Sequence, residues 1–369
     1  MNLWKKVVLS VMGIILVSVA GLCAYGIKMY SDTSGTFEGV YESIDRTSSK
    51  RDTAVSIDAQ EPFSVLLMGI DTGDLGRTEQ GRSDTTMVVT INPKEKKSTM
   101  ISLDRDILTE IVGNDTEDKL NHAYAFGGAK MAIDTVENLL DIPIDNYVSI
   151  NMKGLKDLID AVGGIEVDNP FEFTLDGVTV PEGHIKLNGE TGLAYARMRK
   201  EDPEGDIGRQ RRQREVVEKI VSKVVSLDGL TKYRQILDAV KANVKTDLTW
   251  DDMVDIQKKY MPAFSNIDSL QLEGEGQTIN EIYYQILDPT KLYEVQTKLR
   301  AQLGLPEDKE MQAKDNSTYG AYGTYGTEAY GGAATTYDTA AATETYTNDQ
   351  TYTDPNAVDN GEYVDGYGY

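Results

Sequence analysis

The 369-residue sequence predicts an α/β protein: an α/β/α sandwich with a central mixed β-sheet, preceded by one transmembrane helix and followed by a disordered tail. Three observations carry that reading. An uncharged run of 21 residues, Val7–Ile27, stands between the basic pair Lys5-Lys6 and Lys28. Between about residues 62 and 305, β-rich apolar runs alternate with segments whose apolar residues recur at helical spacing, the pattern of a layered domain. Residues 315–369 then lack Leu, Ile, Met, Phe, Trp, Lys and Arg altogether.

The elements follow in chain order. At about 1.5 Å per residue, the first run is long enough to cross a bilayer core of about 30 Å. The basic pair in front of it predicts a cytoplasmic N-terminus and an extracellular remainder. A cleaved signal peptide is the competing reading, because Ser18-Val19-Ala20 resembles a cleavage site, but the run is long for a signal sequence. Residues 1–28 are therefore read as a cytoplasmic stub and membrane anchor, and the Ser-, Thr- and acid-rich residues 29–61 as an extracellular stalk.

Val65–Ile70 is continuously apolar, as in a strand buried on both faces. Thr85–Asn92 and Ser98–Arg105 flank the turn Pro93–Lys97 and read as a hairpin. Ala132, Val136, Leu139 and Leu140 follow helical spacing. So do Met152, Leu155, Leu158, Ile159 and Val162, with Gly163-Gly164 as the stop. A short strand at Gly164–Val167 and a hairpin over 172–188 around Asp176-Gly177 come next. Helices are expected at about 189–196, 206–226, 229–243 and 289–303. The tail carries ten tyrosines, eight glycines and nine acids, too little aliphatic surface to offset its ordering entropy. It reads as a solvated spacer; tyrosines stacking on sugar rings are the alternative.

Composition excludes several functions. One cysteine cannot make an internal disulfide or a cysteine-based zinc site, and two histidines leave little for a histidine metal centre. A formal net charge of −23 disfavours nucleic acid. No Ser-His-Asp arrangement is evident.

Charge is nevertheless concentrated locally. The expected hairpin sets Asp84 opposite Arg105, with Arg82 and Asp71 close by, so that all four converge at one end of the sheet. They suit either a structural ion-pair cluster or a phosphate site with a divalent ion, since arginine clamps phosphate and carboxylates hold Mg²⁺. Six of the 13 arginines fall within Arg197–Arg214. On a helix starting at Gly205-Asp206, the side chains of Asp206, Arg209 and Gln213 share a side with Val216, Val217, Ile220 and Val224, while Arg211 and Arg214 project into solvent. A buried arginine needs a partner, so either acids or a bound anion must meet this set.

Several motifs in order resemble one family. They are Leu66–Asp71, Gly81-Arg82-Ser83-Asp84-Thr85, Ser102-Leu103-Asp104-Arg105-Asp106, Lys119–Tyr124, Gly163–Val167, Leu187-Asn188-Gly189, Tyr195–Arg199 and Asp202–Gln213. Over about residues 62–225 they look like the LytR-CpsA-Psr family. The resemblance implies a phosphotransferase at the outer membrane face, a ligase of the Gram-positive wall. Such enzymes move an anionic glycopolymer (wall teichoic acid, capsular or related polysaccharide) from a polyprenyl-pyrophosphate carrier to peptidoglycan, releasing polyprenyl phosphate. It implies Mg²⁺, or Mn²⁺, on Asp71 and Asp84, and pyrophosphate contacts from Arg82, Arg105, Arg197, Arg199, Arg209 and Gln213. Asp71, Asp84 and Arg105 take the catalytic positions, with Asp206, Lys119 and Asn121 in support. The alternatives are a non-catalytic polyprenyl-phosphate-binding scaffold or regulator of wall assembly, and a Mg²⁺-dependent lipid pyrophosphatase. Residues 62–225 are read as the catalytic domain, 226–305 as its helical completion and 306–369 as the tail.

Deleting residues 315–369 is expected to leave transfer to short soluble acceptors at the full-length rate, measured as glycan–peptidoglycan product. A loss as deep as that of an arginine substitution in the site would refute the spacer assignment.

Overall fold

The computed structural model describes residues 40–44, 50–51, 53–73, 81–225, 236, 241–272 and 274–306. The anchor expected over 1–28, the tail beyond Pro306 and most of the helix expected over 229–243 lie outside the described residues. Among the described residues no helix is long and apolar enough to cross a membrane.

The elements run β1 (Phe63–Ile70), β2 (Ser83–Asn92), β3 (Lys97–Leu103), β4 (Leu108–Ile111), β5 (Thr116–Lys119), α1 (His122–Leu140), β6 (Asn146–Asn151), α2 (Met152–Ala161), β7 (Ile165–Asn169), β8 (Phe173–Leu175), β9 (Val178–Val180) and β10 (Gly183–Leu187). Then come α3 (Gly189–Arg197), α4 (Gly205–Val225), β11 (Val244–Thr246), α5 (Trp250–Lys259), α6 (Met261–Phe264), β12 (Ile267–Leu272), β13 (Gly274–Ile279), β14 (Ile282–Leu287) and α7 (Pro289–Gln302).

A six-stranded mixed sheet in the order β11-β6-β1-β2-β3-β12 organises them. β1, β2 and β3 pair antiparallel, β6 is parallel to β1, and β12 is parallel to β3. Strand periodicity divides the side chains between two faces. Leu66, Met68, Val88, Ile101 and Leu103 turn to the face covered by α1 and α7, through Ile133, Val136, Leu140, Leu292 and Leu299. Phe63, Val65, Met87, Val89 and Met100 turn to the other face, under Leu248, Tyr260 and Ala263. Both faces are buried, which is why β1 reads as a continuous apolar run. A smaller core joins Ile159 of α2, Val167 of β7, Tyr195 of α3, and Val216 and Ile220 of α4.

Several expectations need correction. The sequence predicts a stalk over 29–61, yet the described part of that segment docks on the body. Val40 and Ile57 are buried, Glu42 N donates to Thr246 O at 2.8 Å, and Arg51 Nε pairs with Asp145 at 2.8 Å. Polar composition misled because, among the described residues, two buried apolar side chains and one arginine suffice to anchor the segment. The hairpin over 172–188 is only β8 and β9, turning at Asp176-Gly177; β10 pairs instead with β7. The segment 226–305 is not purely helical, since β11 and β12 complete both sheet edges and β13–β14 form a hairpin.

The orientation of Arg214 is also corrected. It is buried and donates from Nη1 to Ser102 Oγ at 2.9 Å, whereas Arg211 is exposed as expected. The reason is that α4 has two buried faces. Val216 and Ile220 enter the smaller core, while Val217 packs on the sheet. A single-sided helical wheel therefore exposes a residue that the sheet covers.

Burial on two faces forces partners on α4's arginines. Arg212, 2% exposed, pairs with Asp202 and donates to the carbonyls of Tyr195 (2.9 Å) and Met198. A Cβ at Gly208 would strike the Asp202 carboxylate, so the glycine makes room for the pair. Asp202→Ala strands the Arg212 charge and is expected to cost about 3–5 kcal/mol in chemical denaturation. The double variant Asp202→Ala/Arg212→Met is expected to recover part of that loss; equal destabilisation in both would contradict the stranded-charge account.

Candidate functional site

Three chain segments meet beyond the ends of β1, β2 and β3. The β1–β2 pairing shifts register after Gly69, so that Ile70 faces Ser83 and Asp71 N donates to Arg82 O at 3.0 Å. The β2–β3 register pairs Thr86 with Leu103, and its continuation sets Asp84 against Arg105. Their side chains meet at 3.2 Å. Asp71, Arg82, Asp84 and Arg105 thus share one sheet end. Asp71 and Asp84 are half-buried and Arg82 is exposed.

Arg105 sits between Asp84 and Asp106, the second from its own segment. Its Nε lies 3.5 Å from Asp106, which Lys119 also reaches at 2.9 Å. Asp104 accepts from Asp106 N at 2.8 Å, folding the segment tightly. Asn121, buried, donates from Nδ2 to Asp84 at 3.4 Å and from its backbone N to Arg105 O at 3.1 Å.

The α4 segment supplies the opposing side. Asp206, in its first turn, pairs with Arg209 at 2.8 Å and with Arg199 at 3.4 Å. Gln210 bridges Asp206 (3.0 Å) and Asp104 (3.3 Å), tying the helix to the strand end. Gln213, half-buried, follows Arg209 by about one turn.

The site is electrostatically strained. Burial lowers the Arg209 pKa, and the positive charges of Arg105 and Arg199 push the same way against Asp206. The Arg209 Nε is buried without an acceptor, in a side chain 7% exposed as a residue. Burial opposes the Arg105 charge too, but Asp84, Asp106 and Asp206 outweigh it and raise its pKa. Asp206 is held below the usual carboxylate range: burial opposes its charge, and Arg209 and Gln210 overcome that cost. An anion with several oxygens would accept the orphaned N–H and relieve the crowded guanidinium groups.

The sequence-predicted residues therefore divide. Asp84, Arg105, Lys119, Asn121, Arg199, Asp206 and Arg209 belong to one linked network. Arg197 turns away and pairs with Asp176, in the β8–β9 turn, at 2.7 Å. Sequence reasoning missed Asp104, Asp106 and Gln210 as members. The acids flanking Arg105 were the available signal, since an arginine entering a buried site brings its own counter-charges.

A model of the LytR_cpsA_psr family matches residues 28–301, extending beyond Val225 through β11, β12 and the β13–β14 hairpin. A relative from Enterococcus faecalis, named polyisoprenyl-teichoic acid–peptidoglycan teichoic acid transferase TagU, is 51% identical over 303 residues, covering 82% of this chain and 99% of the relative. A crystal structure described as a transcriptional regulator from Enterococcus faecalis superposes with a TM-score of 0.67 at 71% identity, over 74% of this chain and 98% of that one. The family protein TagT with bound octaprenyl pyrophosphate lipid superposes with a TM-score of 0.57 at 31% identity, over 72% of this chain and all of that one. The chain belongs to the LytR_cpsA_psr family.

Proposed function

We propose that the protein transfers an anionic glycopolymer from a polyprenyl-pyrophosphate carrier to a peptidoglycan hydroxyl at the outer face of the cell membrane. The observation that carries the reading is the Arg105, Arg199 and Arg209 set, with its orphaned guanidinium N–H, arranged as a diphosphate cradle. The activity for which the TagU relative is named and the lipid held by TagT support the same substrate chemistry.

In this reading the acceptor oxygen bonds to the sugar-proximal phosphorus. The bond from that phosphorus to the bridging oxygen breaks, and polyprenyl phosphate leaves with the electron pair. The product is a phosphodiester. Arg105, Arg199 and Arg209 stabilise the charge on the phosphate oxygens, the main protein contribution in phosphoryl transfer. Asp71 or Asp84 takes the acceptor hydroxyl proton.

Charge balance supports a divalent ion. Arg82, Arg105, Lys119, Arg199 and Arg209 are matched one for one by Asp71, Asp84, Asp104, Asp106 and Asp206, so a bound diphosphate would leave the cluster negative. Among the described residues no cluster of three or more acids, histidines or cysteines forms a self-sufficient metal site. Two half-buried carboxylates completed by substrate phosphates fit Mg²⁺, or Mn²⁺, which commonly binds that way. Bound there, the ion would neutralise the diphosphate as its bridge breaks.

The test is product formation by the full chain in detergent, given a polyprenyl-pyrophosphate-linked oligosaccharide, a peptidoglycan oligomer and Mg²⁺. Covalent glycan–peptidoglycan product supports transfer; free sugar phosphate alone indicates water as acceptor; lipid binding without turnover indicates a scaffold. Arg105→Ala and Arg199→Ala are each expected to lower transfer by about 10²–10³-fold with the thermal melt retained. Wild-type turnover in both would sink the cradle. Chelation with EDTA, or Asp84→Asn, is expected to abolish transfer, and Mg²⁺ to restore it only to the chelated wild type.

The network also predicts a pH dependence. Burial, reinforced by the Asp206 charge, raises the Asp104 carboxyl to about 6. A carboxyl raised above its reference value of 3.8 favours the native state while protonated, and that contribution is lost as pH rises through about 6. Asp104→Asn keeps an acceptor for Asp106 N and removes the charge. It is expected to raise the melting temperature above about pH 7 and to leave it near wild type at about pH 4. An equal shift at both pH values would contradict the raised carboxyl.

A further inference from the structure

A cleft of about 260 Å³ opens beside the arginine cluster, between the first turn of α4, the end of β12 and the β13–β14 hairpin. Arg199 and Asp206 line it and also belong to the cluster. The hairpin is fixed there by its backbone, since Gln285 N donates to Asp106 O at 2.8 Å.

The cleft has an unusual supply of unused neutral polar atoms. Gln210 Oε1, Gln271 Nε2 and Gln285 Oε1 are all buried without a hydrogen-bond partner. Gln210 is only 5% exposed, so its oxygen cannot turn to open solvent without cost. The four carboxylates of the lining are already engaged: Asp104 accepts from Asp106 N and Gln210 Nε2, Asp106 pairs with Lys119, Asp206 with Arg209, and Glu204 with Arg211 at 2.9 Å. Two large apolar side chains stand exposed on the same cleft, Ile207 at 41% and Tyr283 at 42%. The Tyr283 hydroxyl accepts from Gln285 Nε2 at 2.6 Å, leaving its own proton available to donate.

This combination discriminates among ligands. A further anion would meet two orphaned amide oxygens and the carboxylates. A cation would meet Arg199 and the unpaired Gln271 amide. A neutral hydroxyl both donates and accepts, so a polyhydroxylated ring can satisfy Gln210, Gln285 and Gln271 together. Its C–H faces would pack on Tyr283 and Ile207. We propose that this cleft is a saccharide subsite, holding one neutral sugar ring of either the acceptor glycan or the carrier-linked glycan beside the diphosphate. The assignment of that sugar to a substrate rests on the transfer reading above; its binding does not.

The test measures binding and turnover separately, with the full chain in detergent. The probes are a soluble β-1,4-linked N-acetylhexosamine tetrasaccharide, octaprenyl pyrophosphate, and octaprenyl pyrophosphate bearing a disaccharide. Tyr283→Ala, Gln271→Leu and Gln285→Leu are compared with wild type by saturation-transfer NMR and calorimetry, after thermal melts establish that each variant folds. At least tenfold weaker tetrasaccharide binding, with octaprenyl pyrophosphate binding unchanged, supports the subsite and assigns it to the acceptor. Weakening confined to the disaccharide-bearing lipid supports it and assigns it to the carrier-linked glycan. Unchanged binding of both sugars in all three variants, or no wild-type binding of either, overturns it. If wild type binds sugar, the variants lose it and no ligated product forms, the subsite stands and the transfer reading falls.

Discussion

Burial of α4 on two sides is the constraint on which the rest of the structure depends. A helix packed against both the sheet and the smaller core has little solvated perimeter. Arginines on such a helix must find acceptors inside the protein. Arg212 finds Asp202 and two carbonyls, and Arg214 finds Ser102. Arg209 finds Asp206 but keeps one N–H unmet. The first two arginines are satisfied structurally, and the third is left partly unsatisfied where α4 meets the strand ends. One helix thus fixes the joint between the two cores and also exposes its residual demand at the site.

That division explains what was legible in the sequence. Strands β1, β2 and β3 were readable because their signals are local: an apolar run, a turn and a period of two. The antiparallel register follows from turn length, which is why the Asp84–Arg105 contact is legible in the sequence. The fate of Arg214 could not be read, because it depends on a second layer that the helical period does not encode. The parallel pairing of β12 with β3 joins Leu272 to Leu103 across a long stretch of chain. Such pairing has no turn to announce it, and β12 carries Asp268, Ser269 and Gln271 among its apolar residues, as an edge strand does.

The same reasoning separates Arg197 from Arg199. Two residues apart, they would share one side of the chain if the segment were extended. Arg197 instead ends α3, and the chain turns extended only at Met198. The two side chains therefore diverge, Arg197 toward Asp176 and Arg199 toward Asp206. Arg197 is 30% exposed at its side chain and its partner 48%, so the pair is solvated and weak. An anion entering between Arg199 and Arg209 would compete for Arg197 at small cost. The sequence motif and the observed contact are then compatible, with Arg197 parked on a nearby carboxylate.

Charge accounting also links the site to its surroundings. An acidic chain builds an anion site by pairing each arginine with a carboxylate, as with Arg105 between Asp84 and Asp106. Such pairs lower the cost of burying guanidinium groups, but they cancel the field that would attract a diphosphate. Two changes would restore it. Burial raises Asp104 toward neutrality, which removes one negative charge at mildly acidic pH. A divalent ion on Asp71 and Asp84 would remove two more. Anion affinity therefore resides less in the number of arginines than in how many neighbouring carboxylates are silenced, and it can be tuned without moving any arginine.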